Sequence, residues 1–71
     1  MPRKIRELKA ELRQARFTMR PGKGSHTVWE HPLLPESFTL SGQDGDDARP
    51  YQERAVRTLL AALRAAQEEH R

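Results

Sequence analysis

Apolar positions along the chain fall into two helical stripes with three short alternating segments between them. Ile5, Leu8, Leu12 and Ala15 recur at i, i+3, i+7 and i+10, which predicts a helix over residues 3–15. Pro2 suits its first turn. Phe17 to Arg20 alternates apolar and polar, the period of a strand. The stretch Pro21-Gly22-Lys23-Gly24 breaks the chain, and Ser25 to His31 carries Thr27, Val28 and Trp29, which favour a second strand ending at Pro32. A third, Ser37 to Ser41, sets Phe38 and Leu40 on one face. The acidic loop from Gly42 to Pro50 is too polar for a core element. A second helix runs from Pro50 to about Glu69, with Tyr51, Ala55, Val56, Leu59, Leu60, Leu63 and Ala66 on its buried side.

The order is therefore α-β-β-β-α, an α+β chain forming one domain over residues 1–71. The simplest packing is a three-stranded antiparallel sheet with both helices on one face, since so small a sheet cannot be covered otherwise. At 1.5 Å per residue the second helix spans about 30 Å, so its last turns are expected to project. This is the topology of double-stranded-RNA-binding domains, although topology alone does not give function.

Strand alternation places His26, Val28 and Glu30 on one face and Ser25, Thr27, Trp29 and His31 on the other. Trp29 offers the larger apolar area, and Glu30 is costly to bury unpaired. Trp29 is therefore expected to face the helices and His26 the solvent. The opposite register would bury Val28 and leave Trp29 outside as a stacking platform.

Composition narrows the function classes. A chain of 71 residues with 35% hydrophobic content has a thin core, which suits shallow surface chemistry or binding better than a deep multi-step active site. It has no cysteine, hence no disulfide framework, thiol nucleophile or cysteine zinc site. No apolar run is long enough for a signal peptide or membrane span, so a soluble, cytoplasmic protein is expected. The net charge of +3 is unevenly spread: residues 1–24 hold eight Lys/Arg and two Glu, whereas residues 25–48 hold five acids and no Lys/Arg. A basic front third suggests an anionic partner. Arg6, Lys9, Arg13 and Arg16 form a stripe beside the apolar face of the first helix, placed to grip phosphate. Arginines that merely shield the core edge would give the same pattern.

Several chemistries are excluded by spacing. Adjacent strand residues point apart, so Ser25 and His26 cannot form a nucleophile–base pair. His26 and Glu30 lie about 13 Å apart along a strand and cannot share a metal, and no other metal-ligand spacing occurs. The Gly22-Lys23-Gly24-Ser25 stretch lacks the full phosphate-loop pattern and precedes a strand instead of a helix.

What remains is an outward histidine after a glycine turn. Glycine turns can present backbone N–H groups to anionic oxygens, and Lys23 adds a point charge for phosphate. An imidazole can accept or donate a proton at cellular pH. These are the groups RNA needs to cleave itself through its 2′-hydroxyl: His26 to move a proton, Lys23 and the turn amides to stabilise the phosphorane, with no metal or other cofactor. His31, on Trp29's face and before a proline, reads as structural.

The segment Lys23-Gly24-Ser25-His26-Thr27-Val28-Trp29-Glu30-His31-Pro32, with the helix Lys4–Phe17 before it and an acidic glycine-bearing loop and closing helix after it, resembles the HicA toxins of bacterial HicAB toxin–antitoxin pairs. The resemblance covers nearly the whole chain. It implies a double-stranded-RNA-binding-like fold, the toxin role in a type II toxin–antitoxin system, endoribonuclease activity on mRNA, and neutralisation by a HicB-type antitoxin that masks the site. Carried onto this sequence, the family's catalytic histidine is His26, with Gly24 and Ser25 completing its motif. Two positions depart from the family pattern. Arg16 stands where a glycine usually precedes the first-strand aromatic, and Leu33 to Phe38 lacks the usual glycine-bearing turn. Both lie outside the histidine motif and affect loop shape.

The expected site is thus His26 as the proton carrier, with Lys23, Gly24, Ser25, Arg6, Lys9, Arg13, Arg16 and Arg20 as RNA and phosphate contacts. Two rival readings are a non-catalytic RNA-binding module and a protein-interaction subunit completed by its partner.

Overall fold

A computed structural model describes residues 2–69, and His70, to which the sequence assigns no role, lies outside them. The elements are α1 (Ile5–Gln14), β1 (Thr18–Pro21), β2 (Thr27–Glu30), β3 (Phe38–Leu40) and α2 (Pro50–Glu69). The strands form one antiparallel sheet in the order β1-β2-β3. This is the α+β arrangement expected from the hydrophobic pattern. No described helix is long and apolar enough to cross a membrane.

Register fixes the faces. Met19 lies opposite Trp29 and Trp29 opposite Phe38, so these three share the sheet surface that meets the helices. Trp29 is 0% exposed and packs among Ile5, Leu8, Leu12, Leu40, Val56 and Leu63. The register that would have put Trp29 outside is therefore excluded. Burying an indole requires a partner for its N–H. Here Nε1 donates to Thr27 Oγ1 at 2.8 Å, and that hydroxyl donates to the Leu40 carbonyl at 3.2 Å. The relay fastens the first residue of β2 to the middle of the core.

Helix α1 is shorter than its periodicity suggests. Lys4 is extended, with φ −84° and ψ 152°, so Pro2 precedes the helix instead of opening it. The last turn closes on Arg16, which adopts φ 73°. The Arg16 N–H donates to the Arg13 carbonyl at 3.0 Å and the Phe17 N–H to the Leu12 carbonyl at 3.1 Å. These two bonds define a glycine-type helix stop. The position where the family pattern has glycine thus keeps the left-handed backbone with arginine in it, held by the burial of Phe17 against the core.

The start of α1 is capped from a distance. The Ile5 N–H donates to the Asp46 carbonyl at 2.9 Å and the Arg6 N–H to the Asp44 carbonyl at 3.2 Å. Those are two of the four donors that a helix start leaves without an internal partner. The Glu7 carboxylate accepts from the Lys4 N–H at 2.8 Å and occupies a third.

On α2, Val56 and Leu63 are buried and Ala55, Leu59, Leu60 and Ala66 half-buried, as periodicity predicts. Tyr51 departs from it, being 56% exposed, while its neighbour Gln52 is buried. The reason lies in the helix start. The Gln52 side chain accepts from the Arg49 N–H at 2.8 Å and donates to the Ser41 carbonyl at 2.9 Å, which turns Tyr51 away from the core. Past Ala66, residues Gln67, Glu68 and Glu69 are exposed, so the projecting part is short.

Candidate active site

The turn between β1 and β2 follows from two glycines used for different reasons. The His26 N–H donates to the Lys23 carbonyl at 3.0 Å, closing a four-residue turn. Gly24, its first central residue, has φ +59°, a conformation that suits glycine and strains other residues. Gly22 answers a demand for space: a Cβ there would come within 3.2 Å of the His26 Cβ and 3.3 Å of the His26 carbonyl oxygen. The Gly22 N–H donates to that carbonyl at 2.8 Å. His26 is thus seated by its backbone against Gly22 on one side and Lys23 on the other.

Gly22, Lys23, Gly24, Ser25 and His26 are all exposed. The N–H groups of Lys23, Gly24 and Ser25 make no backbone hydrogen bond among the described residues. Successive free N–H groups of this kind can cradle an anionic oxygen. Of the two described histidines, only His31 has a ring nitrogen in a hydrogen bond: Nδ1 accepts from the Leu33 N–H at 3.1 Å. Its ring also meets Phe17 edge-on at 5.2 Å, so its surroundings are those of a packing residue.

One expectation about the turn needs correction. Ser25 and His26 do not lie in β2, which begins at Thr27, so strand alternation does not govern how they point. Thr27, fixed by the indole relay, gives the exposed turn a rigid base.

The predicted basic contacts separate into groups. Lys23 stands in the turn itself. Arg20, opposite Val28 on the sheet face away from the helices, pairs through Nε with Glu30 at 3.2 Å. Both partners are largely exposed, and such pairs exchange readily for other anions. Arg6 and Arg16 are exposed on α1 and just past its end. Arg13 lays its guanidinium over the Trp29 ring, 5.5 Å from the centroid, and so closes the edge of the core. Lys9 departs from the expected role. It is 9% exposed and its ammonium is bonded to Asp44 at 2.6 Å, because a buried charge needs a partner. Its charge fastens the acidic loop to α1 and is not presented to a ligand.

The turn also borders a cleft of about 590 Å³ at the end of the molecule where α1 and α2 both begin. Ser25, Asp46, Asp47, Arg49, Tyr51 and Gln52 are among the residues that line it. Arg49, Tyr51 and Gln52 did not figure among the sequence-derived site residues. Helical periodicity had placed Tyr51 in the core. The pattern of a glutamine three residues into a helix, able to reach back to the residue before it, is the signal that could have reversed that assignment.

A family model described as "HicA toxin of bacterial toxin-antitoxin" matches residues 5–67. No curated protein and no solved structure gives a match.

Proposed function

The chain belongs to the HicA toxin family, and from that premise we propose that it is an endoribonuclease acting on mRNA, with His26 as its proton carrier. The observation that carries this reading is the exposed turn: His26 directly follows Lys23, Gly24 and Ser25, all exposed, whose backbone N–H groups make no backbone hydrogen bond among the described residues.

In this mechanism the 2′-oxygen of a ribose attacks the adjacent phosphorus as the bond from phosphorus to the 5′-oxygen breaks. One proton leaves the 2′-hydroxyl and one reaches the 5′-oxygen, so the step consumes no water. It leaves a 2′,3′-cyclic phosphate and a 5′-hydroxyl. His26 takes the first proton or delivers the second, and solvent carries the other. Lys23 and the N–H groups of Lys23, Gly24 and Ser25 stabilise the added charge on the phosphorane. The chemistry needs no metal. Arg6, Arg13, Arg16 and Arg20 hold the backbone of the RNA, which makes affinity fall with salt. An mRNA substrate would place the protein in the cytoplasm.

Family membership supplies an antitoxin partner. In this reading the partner is HicB-type and covers the turn with an acidic or shape-matched segment. Blocking so exposed an imidazole requires no rearrangement of the core.

The test is incubation of the purified chain with a single-stranded transcript in EDTA, followed by analysis of the new ends. Cyclic phosphate termini are expected, with cleavage slowed by about 10²–10⁴-fold in His26→Ala. Undiminished cleavage by a folded His26→Ala protein removes His26 from the mechanism. A wild-type chain that retards RNA without shortening it would be a binding module instead.

A further inference from the structure

Only four aromatic residues of the Phe, Trp and Tyr types occur in the chain. Trp29 and Phe17 are buried, and Phe38 packs half-buried against the core. Tyr51 alone is exposed, and it lines the same cleft as Ser25 of the histidine turn. Its place on the helix is fixed, because the neighbouring Gln52 is tied at both ends of its amide to backbone groups. The cleft, at about 590 Å³, lies within the range of small-ligand sites and has room for one nucleoside.

The charges on its wall select among the parts of a nucleotide. Asp46 uses Oδ2 to accept from the Gln43 N–H at 2.9 Å, and Asp47 pairs with Lys4 at 2.5 Å. Asp46 Oδ1 has no hydrogen bond among the described residues. A carboxylate wall repels phosphate but accepts from the amino group of a base. Arg49 adds one cation to the lining.

We infer that this cleft is a nucleobase subsite of the substrate RNA, in which Tyr51 stacks on a base adjoining the cleaved linkage and Asp46 accepts from its exocyclic amino group. The inference rests on the ribonuclease reading for the identity of the ligand, and it adds a specificity-determining residue on α2. Adenine and cytosine, with an amino group there, are favoured over uracil, which has a carbonyl at the corresponding place.

Fully 2′-O-methylated oligonucleotides, which cannot undergo the 2′-attack, separate this claim from cleavage. Each carries the fluorescent base 8-vinyladenine, which keeps the 6-amino group of adenine, at one position in turn. With the wild-type protein, fluorescence is expected to be quenched at one position only. Tyr51→Ala should abolish that quenching and weaken binding on the order of tenfold, and Tyr51→Phe should restore both. Tyr51 is exposed, so both variants should keep the wild-type melting temperature. Quenching that persists in Tyr51→Ala, or the absence of any quenched position, overturns the subsite. If native RNA is cleaved normally in that case, the ribonuclease reading stands without it. If native RNA is never cleaved but the quenching follows Tyr51, the ribonuclease reading fails and the base subsite remains.

Discussion

Two polar, glycine-bearing segments of this chain read alike in sequence and behave oppositely in the fold. The turn from Gly22 to His26 is exposed throughout and bonded only within itself, by the Gly22 N–H to the His26 carbonyl and the His26 N–H to the Lys23 carbonyl. The loop from Gly42 to Arg49 carries three aspartates, yet it buries Ala48 and is fastened through Asp44, Asp46, Asp47 and Ala48 to α1 and the two residues before it. Its carbonyls cap Ile5 and Arg6, the Ala48 N–H donates to the Arg3 carbonyl at 2.6 Å, and Lys4 and Lys9 hold Asp47 and Asp44. A charged loop is therefore no guide to free charge. The acidic segment is largely structural because Asp44 and Asp47 pair with lysines, while the small basic turn is available for chemistry because the side chains of Lys23 and His26 make no hydrogen bond or ion pair among the described residues.

The sharpest division between them should come from His26→Ala. Its expected loss of cleavage, about 10²–10⁴-fold, should occur with no change in the denaturation midpoint, because an exposed imidazole holds nothing in place. A fall in the midpoint as large as that of a core mutation would show the turn to be structural after all. Gln52→Ala, at the far end of the acidic loop, should do the reverse. It leaves the Arg49 N–H and the Ser41 carbonyl without their partner, and stability measured by urea unfolding should drop by about 2 kcal/mol. Gly24→Ala comes next, at about 1 kcal/mol, and acts through φ alone, since an added Cβ would meet nothing within 4 Å. A cost well above that would mean the turn is packed more tightly than its exposure indicates.

How much of this was legible depended on whether a feature was local. Trp29 announced its face because no other residue of β2 offers comparable apolar area, and the helical stripes announced both helices. His26 was expected outside from strand alternation against Trp29, and it is exposed, but as the residue that closes the turn ahead of β2, because β-propensity cannot register that Lys23 and His26 close a turn. The site residues were harder. Lys9 has the same sequence credentials as Arg6 and Arg13, and only its contact with Asp44, 35 positions away, separates them. Tyr51 and Gln52 exchange their expected places because the helix start outranks the apolar stripe. Arg16 shows the limit in the other direction: the backbone geometry survives without the glycine that would signal it, since Phe17 is held by the core.

The smallest effect tests the loop's electrostatics. The Asp44 carboxyl is held below the ordinary aspartate value of 3.8, first by its hydrogen bond to Lys9 and then by the lysine's charge, with Arg13 and Arg6 adding to it. A carboxyl whose folded value is depressed stabilises the fold in full above its unfolded value. That contribution shrinks as pH falls from there and is gone below the folded value. The melting temperature of the wild-type protein should therefore decline across the acid range below about pH 4 more steeply than that of Asp44→Asn, with the two curves parallel above it. The difference should be slight, since Asp44 is largely exposed and salt screens such pairs, and added salt should reduce it further. Curves that stay parallel down to the lowest pH would mean that Lys9 gains nothing from Asp44. The acidic loop would then be held by its backbone bonds and the Lys4–Asp47 pair, with no contribution from Lys9.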